Sequence, residues 1–599
     1  MLSHERYLLL YMKHANAEGA GIPIPITLEE LSETLHCTER NVKLILKKLG
    51  EDGFISWTGG RGRGNRSQIT FLQPREKLLY QLAQLTAQKG EYRLAFELID
   101  QFGEGTSVRS QFANWLNGHF GYRTEKVDDQ DADILRLPVY RPILTLDPKD
   151  LYYSFSAHMV KQLFDCLVRF DRAADQIVPA LAHAWESNSH GTEWTFHLRK
   201  GVFFHHGREL TADDVAYSLN RLQGSSASGW YVRSVARIEI KNKRTVKITL
   251  EKPNWLFPRF LCSPGLSIVP HELVEQDDHF WEHPVGTGPF HFMEWTADRF
   301  TMAANTQYFG GRAHLDGVVI VIMPENTFEY SKSWEQLLVD HDLREKEPKH
   351  GWQKIESVCN GCSLLTWNLG KQGIHQSADF RQGIDLLIDR SRMIRELGED
   401  LIYPARGFHP NDLAASWEDR GDIELAIELI RQSGYDGTAI RICTYGIHEQ
   451  DALWLKQHLA VYGVNITVQV ETWETIREPH ILRNADCLLY CVVFAEDEVC
   501  FIELYEQTGN FLRTHLDPKI SGWVKNTIDD ALASKEYVNL WQRLLSIEAK
   551  LKQEHMVIFL LHKKLNTYYN PNIKGVGVNS LGWIDLKDIW LEQASEPSS

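Results

Sequence analysis

The first seventy residues carry two short helical patterns followed by a hairpin pattern, and this order constrains the fold more than any other feature of the chain. Thr27 and Glu30 have the spacing of a capping box, in which a hydroxyl and a carboxylate satisfy free backbone N–H groups at a helix start. A second helix is expected after Thr38, because apolar side chains recur on one face at Val42, Ile45, Leu46 and Leu49. The segments FISWT and SQITFL alternate apolar and polar residues, which indicates a hairpin. Together these patterns predict a winged helix-turn-helix domain over residues 1–73.

The loop between the two predicted strands reads GGRGRGNRS and holds four glycines and three arginines. A phosphate-binding P-loop would need lysine after its last glycine, but Asn65 stands there. A dinucleotide-binding loop would need glycine at position 65 and a helix after it, whereas a strand pattern follows. Both nucleotide-binding interpretations therefore fail, and the loop is expected to form a basic wing.

Between Thr38 and Arg66 the chain has seven basic and three acidic residues, although its net charge is -16. A helix-turn-helix places its second helix in the major groove, and arginine donates fork-shaped pairs of hydrogen bonds to phosphate. We therefore expect double-stranded DNA as a partner. The candidate DNA-binding residues are Thr38, Arg40, Asn41, Lys43, Lys47, Arg61, Arg63 and Arg66. Winged helices also bind proteins, and this alternative stays open.

A chain of 599 residues is long enough for three or four domains. Its N-terminus lacks the pattern of a secretory signal, because the apolar run from Tyr7 to Met12 ends at Lys13. No stretch reaches the ~20 apolar residues of a membrane helix. These features predict a cytoplasmic protein without membrane contact, and the nine scattered cysteines fit a reducing compartment.

A helical connector is expected over residues 74–133, because apolar residues recur at helical spacing from Pro74 to about Phe120. The acidic run DDQDAD at 128–133 is expected to be a solvated linker. The connector would either join two modules rigidly or supply a dimer contact. The oligomeric state is left open.

The rest of the chain carries a series of motifs in a fixed order. They are LRLPVYRPILTLDP, IVPALAHAWESNSHGTEWTFHLRKGVFFHHGRELTADDVAYSLNRL, PVGTGPF, SADFRQGIDLLIDRSRMI, WLKQHLAVYGVNITVQVETWE and VGVNSLGWIDLKDIWL. These motifs resemble the family 5 extracellular solute-binding proteins, the receptors of oligopeptide, nickel and some sugar transporters. The resemblance implies a two-lobed, periplasmic-binding-protein-like α/β module of type II over residues 134–594, and hence a multidomain α/β chain. Lobe I is expected at about 134–350 and 570–594, and lobe II at about 351–569.

A winged helix joined to such a module resembles the SgrR family of bacterial transcriptional regulators. The wing RGRGNRSQITFL, the turn FHHGREL and the segment NSLGWIDLKDIW carry this resemblance. It implies regulation of transcription by a small-molecule effector, with sugar-phosphate accumulation as the family's stimulus. A paralogous group shares the architecture, so the target genes and the sign of regulation stay open. The alternatives are a solute receptor of an ABC-type transporter and a ligand sensor that acts through protein partners.

The resemblance places the effector between the two lobes. Trp367 and Asn368 in LLTWNL are ligand-binding candidates, because family members line the cleft near this strand. Trp230 and Tyr231 in SGWYV are candidates for stacking on a sugar ring, and Arg406 in YPARGF is a candidate for binding an anion.

Neither catalysis nor a cofactor is expected, since the chain has no nucleophile elbow and no HExxH motif. The adjacent His205 and His206 would point to opposite faces of an extended segment, so no metal site is expected there. Cys359 and Cys362 form a CxxC motif without a second ligand pair. The glycines of PVGTGPF, at 284–290, are expected to adopt backbone angles that other residues avoid.

Overall fold

The fold is known from a computed structural model. It describes residues 2–15, 19–60, 66–117, 119–127, 129–139, 143–324, 337–340, 353–358, 360–398, 401–410, 421–494, 497–569, 571–577 and 584–592. The chain divides into two compact units. One comprises Met1–Pro142, Glu294–Thr301 and Gly317–Leu337, and the other comprises Ile143–Met293, Met302–Asp316 and Leu338–Ser599. The domain and lobe limits expected from the sequence stay predictions.

The N-terminal domain combines helices with a small antiparallel sheet. Its elements are α1 (Leu2–His14), β1 (Pro23–Ile26), α2 (Leu28–Thr34), α3 (Glu39–Glu51), β2 (Ile55–Thr58) and β3 (Ser67–Phe71). The strands pair in the order β1-β3-β2. The predicted order of helices and hairpin is therefore confirmed. Strand β1 was not predicted, because its sequence PIPI contains two prolines, which a strand tolerates only at a sheet edge.

The capping box predicted at the start of α2 is present. The hydroxyl of Thr27 accepts the backbone N–H of Glu30 at 3.2 Å, and the Glu30 carboxylate accepts the N–H of Thr27 at 2.7 Å. Helix α3 buries the four predicted apolar side chains, Val42, Ile45, Leu46 and Leu49. Thr38 occupies the N-cap position of α3, but its side chain makes no capping hydrogen bond.

Three helices, α4 (Arg75–Gln88), α5 (Tyr92–Phe102) and α6 (Val108–Asn117), occupy the stretch where helical spacing was found, and the connector as a domain stays a prediction. Helix α1 packs against α4 and α5, and the buried Tyr7 donates its hydroxyl to the carbonyl oxygen of Gln73. On the other side of α5, Arg93 lies 3.7 Å from the carboxylate of Asp298, and Arg299 donates to the carbonyl oxygen of Lys89 at 3.5 Å. These contacts make the connector a packed part of its unit.

Residues 129–133 of the acidic run do not form a linker, which corrects the expectation above, and Asp128 lies outside the described residues. Residues 129–133 fall in a hairpin formed by β4 (Gly121–Val127) and β5 (Gln130–Val139), where Asp129 takes the positive φ of a turn residue. Asp131 lies opposite Lys126, whose positive charge offsets its negative charge, and Asp133 accepts the hydroxyl of Thr124 at 2.7 Å. Strand β5 then pairs in parallel with β14 (Gly317–Ile322).

The remaining elements lie between residues 154 and 591. The helices are α7 (Ser154–Leu163), α8 (Ala212–Asn220), α9 (Phe257–Phe260), α10 (His271–Gln276), α11 (Ala378–Leu387), α12 (Arg390–Leu397), α13 (Ile423–Gln432), α14 (Glu449–Ala460), α15 (Pro479–Asn484), α16 (Asp497–Glu506), α17 (Phe511–His515), α18 (Pro518–Leu532) and α19 (Tyr537–Gln553). The strands are β6 (Val168–Asp171), β7 (Gln176–Pro179), β8 (Ala182–Ser187), β9 (Glu193–Leu198), β10 (Val235–Asn242), β11 (Thr245–Leu250), β12 (Phe290–Trp295), β13 (Arg299–Ala304), β15 (Leu337–Asp340), β16 (Gln353–Val358), β17 (Gly361–Trp367), β18 (Leu401–Pro404), β19 (Ile440–Tyr445), β20 (Ile466–Glu471), β21 (Cys487–Val493), β22 (Val557–Tyr569), β23 (Ile573–Lys574) and β24 (Trp590–Leu591).

Two mixed or antiparallel sheets organise the second unit. The smaller has the order β10-β11-β9-β8, and the larger has the central order β22-β17-β21-β19-β20. Strand β17 is buried at every residue and pairs antiparallel with β21 on one side and β22 on the other. Strand β19 pairs in parallel with β20 and β21. Alternating strands and helices around this sheet agree with the predicted α/β class.

The glycines of PVGTGPF are required for close packing rather than for unusual backbone angles, which corrects the expectation above. Neither Gly286 nor Gly288 has a positive φ. The N–H of Gly288 donates to the carbonyl oxygen of Leu163 at 2.9 Å, at the end of α7. A Cβ atom on Gly288 would lie 2.5 Å from the carbonyl carbon of Leu163 and 2.6 Å from the oxygen of Gln162. Only glycine lets this turn approach the α7 backbone so closely.

We predict that Gly288→Ala lowers the free energy of unfolding by about 1–3 kcal/mol, because the added methyl group meets backbone atoms that cannot rotate away. Urea denaturation followed by circular dichroism measures this change. The matched control is Gly522→Ala in the exposed part of α18, where no atom lies within 4 Å of the added carbon. This control should gain about 0.5–1 kcal/mol. Equal effects of the two changes would contradict the packing explanation.

Candidate functional site

Helix α3 presents a polar face to solvent because its apolar face is buried in the core of the domain. Arg40, Asn41, Lys43 and Lys47 are all exposed, as is Thr38 at the N-cap. Arg40 and Lys43 form no ion pair with any described residue, whereas Lys47 lies 3.8 Å from Glu51 in the last turn. The structure thus brings five of the predicted DNA-binding residues onto one exposed helix and leaves its N-terminal half with unpaired positive charge.

Of the predicted wing residues, Arg61 and Arg63 lie outside the described residues. Arg66 is described, at the base of the hairpin just before β3, where its guanidinium is exposed and 3.9 Å from the Glu30 carboxylate. An exposed ion pair at this distance is weak, so it leaves Arg66 available to another anion. The roles of all three arginines in DNA binding stay predictions.

Sequence reasoning missed Leu44 on the same helix face. This leucine has 61% of its surface exposed, although the other large apolar residues of α3 are buried. It stands one helical turn after Arg40 and one turn before Lys47, so it lies between their side chains. The position outside the i, i+3, i+4, i+7 series was the signal that could have identified it.

Trp230 and Tyr231 line a cavity in the second unit. The two rings stack on each other with centroids 3.8 Å apart, and the cavity beside them has a volume of about 20 Å³, room for about one water molecule. Arg233 and Lys252 also line the cavity, but both bond Asp529, at 2.6 and 2.8 Å. The indole N–H of Trp230 is buried without an acceptor among the described residues. The cavity therefore offers aromatic surface and one donor rather than free charge.

The other three predicted ligand-binding residues do not line this cavity. Trp367 is buried at the end of β17, with its ring packed edge-on against Phe380. Asn368 is 3% exposed and donates its amide to the carbonyl oxygens of Leu482, Arg483 and Ala485 at 3.0–3.3 Å. Arg406 is exposed just after β18. The ligand-binding roles of the five residues stay predictions, and the structure brings only Trp230 and Tyr231 together.

A second aromatic cluster was not predicted, because its parts are far apart in the sequence. Arg477 follows β20, and its guanidinium carbon lies 4.1 Å from the ring centroid of Tyr152. Trp473 lies in the same turn, with ring centroids 5.7 Å from Tyr153 and 5.1 Å from Tyr445. Burial lowers the pKa of Arg477, opposed by the charges of Tyr152 and Glu503.

The carboxylate cluster around α8 is the arrangement closest to a metal site in the described chain. Asp214, His271 and Glu272 have ligand atoms within 4.8 Å of one another. Arg208 bonds both carboxylates, with its Nη2 2.5 Å from Asp214. Burial opposes ionisation of Asp214, but hydrogen bonds from Arg208 and His271 outweigh it and lower the pKa. The arginine supplies the positive charge that a metal ion would bring.

The predicted separation of His205 and His206 agrees with their contacts. His205 is bonded to the carbonyl oxygen of Gly288 at 3.1 Å, and burial lowers its pKa to about 4. His206 is 3.2 Å from the Glu272 carboxylate. Cys359 of the CxxC motif lies outside the described residues.

Comparison with known proteins assigns the two parts of the chain. The family model of bacterial extracellular solute-binding proteins, family 5, matches residues 176–490, and that of the sugar transport-related sRNA regulator N-terminal region matches residues 4–122. The HTH-type transcriptional regulator SgrR of Yersinia enterocolitica is 30% identical over 590 residues, which cover 96% of each chain. The chain belongs to the SgrR family. YhjP of Bacillus subtilis is also similar over the full length, at 32% identity, covering 95% of this chain and 96% of YhjP.

Solved structures share the fold of the larger part of this SgrR-family chain. DppA from Helicobacter pylori, in complex with the peptide STSA, has a TM-score of 0.65 at 21% identity and covers 77% of this chain and 98% of its own. NikZ from Campylobacter jejuni, in complex with Ni(L-His), has a TM-score of 0.64 at 19% identity and covers 74% of this chain and 95% of its own. At such identities these similarities establish the fold alone, and they confirm the predicted family 5 fold.

In the described part of this SgrR-family chain, no helix combines the length and the apolarity that crossing a membrane requires.

We predict that Asn368→Ala lowers the free energy of unfolding by about 1–3 kcal/mol, because the carbonyl oxygens of Leu482, Arg483 and Ala485 lose the hydrogen bonds from this buried amide. The midpoint of urea denaturation measures it. Asn465→Ala, at an exposed asparagine, is the matched control and should stay within about 0.5 kcal/mol of the wild type. Unchanged stability in Asn368→Ala would show that this amide does not serve the fold and would favour a role in ligand binding.

Proposed function

We propose that this chain is a cytoplasmic transcriptional regulator that binds double-stranded DNA through α3 and the wing and senses a small solute in its family 5 module. The observation that carries the proposal is the exposed, unpaired positive charge of Arg40 and Lys43 on the second helix of the helix-turn-helix motif. The SgrR relatives, named as HTH-type transcriptional regulators, support it over their whole length. Binding rather than catalysis is the proposed activity.

In the proposed complex, α3 lies in the major groove. Arg40, Asn41 and Lys43 occupy its first two turns, which is the part of a recognition helix that contacts base edges. Arg61, Arg63 and Arg66 of the wing contact phosphates and carry no sequence information directly. Thr38 and Lys47, at the two ends of the helix face, contact the flanking phosphate backbone.

We also infer that Leu44 contacts a base through its apolar side chain. An exposed leucine among arginine and lysine side chains finds no protein partner on α3. The apolar group that a major groove offers is the C5-methyl group of thymine. Leu44 would thus add a preference for thymine between the positions read by Arg40 and Lys47.

The connector supports a route by which solute binding reaches the DNA-binding helices. Helix α5 contacts the turn between β12 and β13 through Arg93, which is 3.4 Å from the carbonyl oxygen of Ala297. The same helix bundle holds α1 through the bond from Tyr7 to Gln73. A solute that shifts this turn would therefore move a packed unit, provided that it binds one conformation more tightly than the other.

A sugar phosphate is the proposed effector class, as the SgrR relationship suggests. A transporter receptor and a sensor that acts through protein partners are the rival functions, and neither requires affinity for DNA. Mobility shift with the promoter regions of the chain's own gene and neighbouring transporter genes separates them from the proposed regulator. Absence of binding to every fragment would overturn the proposal.

We predict that DNA affinity falls steeply with salt and that Arg61, Arg63 and Arg66 changed together to Ala weaken binding to all sequences. Each lost phosphate contact should reduce the slope of log affinity against log salt by about 0.9. Fluorescence anisotropy at several salt concentrations measures the slope. The matched control changes three exposed basic residues elsewhere, Lys519, Lys525 and Arg543, to Ala. An unchanged slope in the wing variant would show that the wing does not contact DNA.

We predict a different outcome for the helix face. Changing Arg40, Asn41 or Lys43 to Ala should alter sequence preference, with discrimination at individual base pairs falling by about 1–3 kcal/mol. Leu44→Ala should lose the preference for thymine over uracil at one position, because uracil lacks the methyl group. Competition binding with single-base operator variants measures both effects. A uniform loss on all sequences would assign these residues to the phosphate backbone instead.

A further inference from the structure

Most of the N–H donors of Arg477 have no acceptor among the residues that the structure describes. Its guanidinium stacks on Tyr152, and one nitrogen, Nη1, is 3.4 Å from the carbonyl oxygen of Tyr152. Arg477 forms no ion pair with any described carboxylate. Glu503 acts on its charge from a greater distance and is itself bonded to Gln507 at 2.9 Å. A half-buried cation with a neutral, long hydrogen bond lacks the partner that such a group usually has.

Trp473, close to Arg477, also has a donor without an acceptor. Its indole Nε1 is buried and has no acceptor among the described residues. The ring lies 5.7 Å from the Arg477 guanidinium carbon and is packed against the rings of Tyr445, Tyr153 and Phe511. Buried N–H groups without acceptors are uncommon, and each needs an explanation such as a ligand.

We propose that Arg477 and Trp473 bind the anionic group of the effector, with Tyr152, Tyr153 and Tyr445 around it. The indole N–H of Trp473 has no acceptor among the described residues, and the neighbouring Arg477 cation has one long hydrogen bond. Together they call for a ligand that only accepts hydrogen bonds and carries negative charge. Carboxylate and phosphate are the groups that fit, and a guanidinium bonds either one through two parallel N–H groups. The aromatic rings suit an apolar or ring-shaped body behind the anion. This inference rests on the proposed sensing function and names the class of its ligand.

The site also couples ligand binding to the contact between two distant parts of the chain. Tyr152 and Arg477 are 325 residues apart in sequence and fall in the two different predicted lobes. Gln507 donates to the carbonyl oxygen of Leu151, next to Tyr152, and to that of Ala227, both at 3.3 Å. An anion bound to the free edge of Arg477 fixes the guanidinium on Tyr152, so it favours the conformation in which the two segments touch.

Isothermal titration calorimetry with the full chain tests the proposal at constant ionic strength. The probes are inorganic phosphate, glucose 6-phosphate, glucose and a neutral dipeptide amide. We expect glucose 6-phosphate to bind and glucose to bind at least about 100-fold more weakly, because a charged hydrogen-bonded contact is lost. Arg477→Met should weaken glucose 6-phosphate binding by about 10- to 100-fold, and Trp473→Phe, which keeps the ring but removes the N–H, by about 5-fold or more.

Arg483→Met, an exposed arginine in the helix that follows, is the matched control and should bind as the wild type does. Arg477→Lys keeps the charge and should retain part of the affinity for glucose 6-phosphate. If Arg477→Met does not fold, this variant and Trp473→Phe still test the proposal. The proposal is overturned if glucose or the dipeptide amide binds as tightly as the anions, if no anion binds at millimolar concentration, or if both Arg477→Lys and Trp473→Phe bind like the wild type. DNA binding is measured on the same preparations. A chain that binds the anions but no DNA would contradict the regulator function alone, whereas a chain that binds DNA but no anion would contradict the anion site alone.

Discussion

The burial of β17 along its whole length is the constraint on which the solute-binding part depends. Both edges of this strand are paired, with β21 and β22, so its backbone is satisfied within one sheet. Asn368 comes directly after it and ties the end of α15 through three carbonyl oxygens. Helix α15 starts two residues after Arg477. The cluster of Arg477 and Trp473 is therefore linked, through α15 and Asn368, to the end of a fully buried strand.

Electrostatics give the two parts of the molecule opposite tendencies near DNA. The whole chain carries a net charge of -16, while α3 exposes Arg40, Lys43 and Lys47. Phosphate repels the acidic bulk and attracts this one helix, so the charge distribution orients the encounter. Ion pairs such as Lys48 with Asp52, at 3.0 Å, lie at the C-terminal end of α3, away from Arg40 and Lys43. The positive charges of Arg40 and Lys43, which have no ion-pair partner among the described residues, are at the end of α3 that is proposed to contact the bases.

Local sequence patterns were sufficient to predict those elements whose structure is determined by residues close together in the sequence. The capping box at Thr27, the buried face of α3 and the connector helices all follow from spacing within one or two helical turns. Strand β1 and the β4-β5 hairpin were not predicted, because proline and aspartate are uncommon in strands. Pairing with neighbouring strands stabilises these segments in the folded chain. The need for glycine at position 288 was predicted for the wrong reason. The backbone of Leu163, far away in sequence, leaves no space there for a Cβ atom.

The candidate site was harder to predict for the same reason. Exposed basic residues on α3 could be identified because helix periodicity shows which face is free. The partners of Arg477 could not, because Tyr152 reaches it only through the folded chain. Asn368 was proposed from resemblance to relatives, yet its amide hydrogens are directed to backbone oxygens of the protein itself. A motif in a family marks a position in the fold, and the contacts at that position are specific to each chain.

The parallel pairing of β5 with β14 has a consequence for biosynthesis. Strand β5 ends at Val139, while β14 begins only at Gly317, so the ribosome releases the edge of β5 long before its neighbour exists. The N-terminal helices and the small sheet β1-β3-β2 can form early in translation. The unit that contains them is complete only after the ribosome has translated Glu294–Thr301 and β14. Nascent chains would pass through a stage with an open sheet edge, which chaperones recognise and other nascent edges can pair with.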